Sequence, residues 1–180
     1  KNKSYIEKAF LKGISYEELA KETKEPLREV SFELDHDSVE VLRTFPGYED
    51  FDPRSEVLHM LRPGTGCVDA PRCWSLKLAK ATNEVFGAKP TKFDDQLIVR
   101  HDKHGNLDFI ASKHVDDIKV ACSPEVLQEF IRCLEVVFGK GELDVSRDEF
   151  TCCGVKHTPK DDGTYTMDQI HYIQALKPIT

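Results

Sequence analysis

The chain has 180 residues, of which 39% are hydrophobic and 32% charged, and a formal net charge of −7. The length suits one sizeable hydrophobic core, so a single domain over residues 1–180 is expected. An acidic balance opposes free-standing affinity for nucleic acid, whose phosphates are bound by clustered Lys and Arg. No apolar run approaches the roughly 18 residues of a membrane span, and "KNKSYIEKAF" lacks the apolar core of a signal peptide. The absence of a starting Met leads to the expectation that the chain is a fragment.

The six cysteines, at 67, 73, 122, 133, 152 and 153, form no C-x-x-C pair, which fits a reducing, intracellular setting better than a disulfide scaffold. Cys152, Cys153 and His157 lack a fourth ligand at zinc spacing and are read as small buried groups.

Taken in chain order, "SYEELAKETK" at 15–24 predicts a short acidic helix, with Ser15 as N-cap and Glu18 closing a capping box. A strand is expected within 28–34 and a capped helix at 37–45, while 55–61 reads as strand or helix. Pro63, Gly64 and Gly66 break the chain before a helix over 70–86, with Pro71 in its first turn and Trp74, Leu78, Ala81 and Val85 on one face. Strands follow at 96–101 and 107–114 around the turn "HDKHGN". A further strand is expected at 118–122. A second helix at 124–138 carries Val126, Leu127, Phe130, Leu134 and Val137 and is closed by Gly139. Strands at 142–146 and 149–157, the turn "PKDDG", the strand "TYTM" and a helical segment after Asp168 complete the chain. Antiparallel hairpins interleaved with amphipathic helices predict an α+β fold, a sheet with the helices packed on one face.

Between the strands at 107–114 and 118–122 stands "KHVDDIKV", with Asp116 and Asp117 adjacent. Period-two runs on both sides read as a hairpin whose two-residue turn is the Asp pair. Adjacent carboxylates repel unless a cation lies beside them, and Mg²⁺ is the usual occupant of a small all-oxygen site. The residues themselves leave both readings open, an ordinary turn and a metal site.

Several stretches in order carry a resemblance: Ala9-Phe10-Leu11 with Gly13, "FPGYED" at 45–50, Gly66 with Ala70-Pro71-Arg72 and Trp74, His114-Val115-Asp116-Asp117, "CGV" at 153–155, and Gln169 with Tyr172-Ile173. Together they resemble the reverse transcriptase domain of copia-type retrotransposon polyproteins, over nearly the whole chain. The resemblance implies a polymerase palm-like antiparallel sheet with partial fingers, and an RNA-directed DNA polymerase that copies an RNA or DNA template–primer. It implies Mg²⁺ held by Asp116 and Asp117, with an aspartate of the first motif completing a two-ion centre of the kind that spaces its metals about 3.5–4 Å apart. Arg72 would face template or nucleotide phosphate.

Three departures qualify these implications. The position of the first catalytic aspartate is held by Tyr5, whose phenol, with a pKa of about 10, stays protonated near neutral pH. Glu7, two residues on, would share its side of a strand but lies about 7 Å further along. His114 replaces the Tyr before Val-Asp-Asp, and Val68-Asp69 replaces Lys-Gln. The resemblance also begins at the first catalytic strand, so the preceding fingers segment is absent from this stretch. The expectation is a chain inactive by itself, with an inert subunit that assembles with protein partners as the alternative.

Overall fold

The computed structural model describes residues 2–6 and 8–177. Its architecture is α+β. A six-stranded sheet runs in the order β4-β5-β6-β7-β1-β8, with every neighbouring pair antiparallel. Its strands are β1 (Asn2–Ile6), β4 (Lys89–Pro90), β5 (Leu97–His101), β6 (Leu107–His114), β7 (Asp117–Cys122) and β8 (Leu143–Arg147). A three-stranded sheet joins β9 (Phe150–Cys152), β10 (Val155–Pro159) and β11 (Tyr165–Asp168), and β2 (Ser31–Phe32) pairs with β3 (Leu58–His59). The helices are α1 (Tyr16–Thr23), α2 (His36–Leu42), α3 (Ala70–Lys80), α4 (Pro124–Phe138) and α5 (Ile170–Ala175).

Helices α3 and α4 cover one face of the main sheet, as their apolar stripes predict. Strand periodicity of two sends Ile98, Phe109, Ala111, Ile118 and Val120 to that face, where they meet Trp74, Leu78, Leu127, Phe130, Leu134 and Phe138. The rings of Phe86, Phe109 and Phe130 lie 4.7–4.9 Å apart in edge and tilted contacts, and Trp74 packs against Phe138 at 5.2 Å. Arg100 lies over the Phe86 ring at 4.1 Å and pairs with Asp108 and Glu129, which ties β5, β6 and α4 together. Helix α1 has the predicted capping box: Glu18 N–H donates to Ser15 Oγ and Ser15 N–H to Glu18 Oε2.

Five predicted elements differ from the structure. The helix expected over 70–86 stops being α-helical at Lys80 and continues as a π-turn over Ala81–Val85, in which Phe86 N–H reaches Ala81 O at 3.2 Å. Widening the turn rotates the following residues, so Phe86 and not Val85 faces the core; Val85 is 46% exposed. The strand expected within 28–34 and the strand or helix expected at 55–61 shrink to the two-residue ladder of β2 and β3.

The strand expected over 149–157 is two strands, because Cys153 and Gly154 form a two-residue turn with φ of 50° and 74° that pairs Cys152 with Val155. Two successive left-handed residues are what a tight hairpin with the natural strand twist requires. Finally, the turn expected at Asp116-Asp117 falls one residue earlier, at Val115-Asp116, with His114 paired to Asp117. A turn at 116–117 would set Phe109 opposite Pro124, which has no N–H for the ladder; the observed register sets it opposite Cys122.

Gly13 lies where α3 begins. A Cβ there would sit 3.0–3.1 Å from Cys73 Cβ, Cys73 C and Trp74 N, so a larger residue would push the two backbones apart by a few tenths of an ångström.

Candidate functional site

The site begins with the β6–β7 hairpin tip. Val115 has φ of 53°, an uncommon conformation for a β-branched residue, costing on the order of 1–2 kcal/mol. Its carbonyl accepts a 2.7 Å hydrogen bond from Trp74 Nε1, a buried indole in the first turns of α3. The tip is thereby fastened to the helix layer, and Asp116, half-buried, occupies the second loop position.

Asp117 is the first residue of β7. Because Ile118 faces the helices, Asp117 and Lys119 face the other side of the sheet. There they meet the small sheet: Asp117 Oδ2 accepts the N–H of Cys153 at 3.2 Å, and Lys119 Nζ lies 2.8 Å from His157 Nε2. Lys119 Nζ carries the donors of this pair, so His157 accepts at Nε2 and donates from Nδ1 to Val155 O, 3.0 Å away. His157 is buried and stacks on Phe150 at 4.8 Å. The structure makes it a bridge between the two sheets.

The backbone of Tyr5 pairs with Asp117 on one side and with Asp144 of β8 on the other. The strand that carries Tyr5 and the Asp-Asp hairpin are therefore neighbours, with a third, exposed carboxylate, Asp144, on the same rung. Sequence reasoning misses Asp144, since only the pairing of β1 with both β7 and β8 brings it there. Glu7, two residues beyond Tyr5, lies outside the described residues.

Arg72 stands on the exposed side of α3 and holds Glu25 with two 3.0 Å hydrogen bonds, which raises the guanidinium pKa and lowers that of the carboxyl. His114 is exposed at the end of β6. Val68 is 90% exposed, whereas Asp69 is buried and takes a 2.7 Å bond from Arg28.

Two features of the site were not read from the sequence. Lys113 is only 7% exposed, on the helix-facing side of β6, beside a cavity of about 180 Å³ lined by Phe10, Trp74, Gln96 and Val115. Burial lowers its pKa, and Asp95 and Asp94 pull it partly back. Alternation along β6 places it there, a position that normally excludes lysine. The second feature is a cluster in which one ligand atom each of Asp117, Cys152 and Cys153 lie within 4.8 Å of one another.

In comparisons with known proteins, no protein-family profile, no curated protein and no solved structure matches the chain. Among the described residues, no helix is long and apolar enough to cross a membrane.

Proposed function

We propose that the chain is a reverse-transcriptase-type palm of the copia class that does not itself polymerise nucleotides. The observation that carries the reading is the placement of β1 beside the Asp-Asp hairpin, with Tyr5 in register with Asp117. Six motif-like stretches in family order, an antiparallel sheet and helices on one face are what such a palm would have. In the family this neighbourhood holds Mg²⁺ and works on a template–primer.

The residues present do not fit a two-ion Mg²⁺ centre. A tyrosine and not a carboxylate occupies the first-motif position, and Asp117 is tied to the turn that carries two thiols, poor company for a hard cation that seeks oxygen ligands. The net charge of −7 and the engagement of Arg72 by Glu25 favour a second reading, an inert subunit assembling with protein partners, over a free-standing nucleic-acid binder.

Primer extension on an RNA template with Mg²⁺ or Mn²⁺, beside an Asp116→Asn control, tests the proposal. No extension is expected, and none from Tyr5→Asp alone. Extension that disappears in the Asn variant would overturn it.

A further inference from the structure

The turn between β9 and β10 places two thiols beside a carboxylate from another sheet, and the distances have a chemical meaning. Cys152 Sγ and Cys153 Sγ are 3.8 Å apart, too far for the bond of about 2.05 Å in a disulfide. Two thiolates on one tetrahedral Zn²⁺ at about 2.3 Å each are separated by the tetrahedral edge, which works out at about 3.8 Å. Here the left-handed φ of Cys153, 50°, turns its side chain to the same side as its neighbour's.

The third ligand is independently positioned. Asp117 Oδ2 accepts the Cys153 N–H at 3.2 Å, so the carboxylate and the turn are already fastened together. All three ligand atoms fall within 4.8 Å of one another, and the carboxylate edge closes to a first coordination shell with a movement of about 1 Å. Asp117 and Cys152 are half-buried and Cys153 is exposed, so an ion can enter from solvent.

We infer that Asp117, Cys152 and Cys153 form a binding site for a thiophilic divalent cation of the Zn²⁺ class, with water as fourth ligand. Two sulfur donors and one oxygen select such ions over Mg²⁺ and Ca²⁺, which demand oxygen throughout. Binding releases two protons, one from each thiol, and the two thiolates and one carboxylate leave the site with a net charge of −1 around the dication. Lys119, on the same face of β7, offsets that charge. Three protein ligands and one open position are the arrangement of zinc sites that exchange ligands, in contrast to the closed four-ligand structural kind. The inference uses no nucleotide chemistry and stands whether or not the palm reading holds.

Co²⁺ titration of the reduced full chain provides the test, read by the thiolate-to-cobalt charge-transfer band. One equivalent should saturate the band, and Zn²⁺ should abolish it where a hundredfold excess of Mg²⁺ does not. Cys152→Ser and Cys153→Ser should each at least halve the band and their double substitution remove it, and Asp117→Asn should weaken binding at least about tenfold, since losing a partner outside the first shell already costs 10–100-fold. The circular dichroism and melting temperature of each variant show that it folds. Absence of the band at one equivalent in the reduced chain would overturn the inference. So would a band that survives the double Cys152→Ser, Cys153→Ser substitution, because Cys67, Cys73, Cys122 or Cys133 would then hold the metal.

Discussion

Trp74→Phe separates the anchoring of the hairpin tip from the packing beneath it. The phenyl ring keeps the contact with Phe138 but has no N–H for the Val115 carbonyl. Leaving a buried acceptor unpartnered costs about 1–3 kcal/mol; Val115 is 40% exposed, so water can reach the tip and the lower end applies. Shrinking a side chain that is 2% exposed removes about three buried heavy atoms, worth about 2 kcal/mol at roughly 0.8 kcal/mol per methylene-sized group. The neighbouring 180 Å³ cavity lets the wall relax, so little is added for a new void. The sum is about 3 kcal/mol, or a fall in Tm of about 6–12 °C for a chain of this size. Because Trp74 is the one tryptophan of the sequence, unfolding in urea is followed by circular dichroism, not fluorescence. Amide exchange should rise most at residues 114–118. A loss below about 1 kcal/mol, or an exchange increase spread evenly over the sheet, would refute the claim that the indole anchors the tip.

Gly13→Ala should destabilise the fold by about 1–3 kcal/mol in the same urea assay, since the new methyl meets the Cys73 and Trp74 backbone, which cannot rotate away. Lys113→Met should stabilise it by about 1–3 kcal/mol at neutral pH by removing a buried cation. Burial lowers the folded-state pKa of Lys113, so between that value and the ordinary ammonium pKa the unfolded chain binds more protons and the wild type gains stability as pH rises. The advantage of Met should thus narrow as pH rises toward about 10; a Met variant less stable at neutral pH, or a pH-independent gap, would contradict this.

What was legible in the sequence was local. The capping box of α1, Pro71 and Pro124 at helix starts, and the apolar stripe of α4 each depend on residues within a few positions of one another, and each is where it was expected. The π-turn was not legible, because helical periodicity over 70–86 fits Val85 as well as Phe86 until the extra residue per turn is known. The Cys153-Gly154 turn escaped because Cys is not a residue that announces a left-handed turn, unlike Asn or Asp. With it went the thiol–carboxylate cluster, whose third member comes from β7, beyond the reach of any local spacing. At Lys113 two local signals conflict: alternation along β6 marks the position as inward, and an ammonium belongs outside.

The hairpin tip shows how far such long-range decisions reach. Turn chemistry alone gives little reason for Val115 to adopt a left-handed φ, since Asn, Asp or Gly would do so at lower cost. A strained residue persists where its surroundings over-determine it. Two constraints do so here. The strand register is fixed by Phe109 and Ala111 on β6 facing the core opposite Cys122 and Val120, which leaves two residues for the loop. The indole of Trp74 then holds the carbonyl of the first of them. Asp116 follows immediately, so its position is decided by the start of α3 far upstream. There Pro71 sets the helix in motion, and Gly13 lets the helix backbone approach the segment that follows β1. The first strand, the helix and the Asp pair are thus one mechanical unit. Substitutions at Gly13 or Trp74 should displace the carboxylates without touching them.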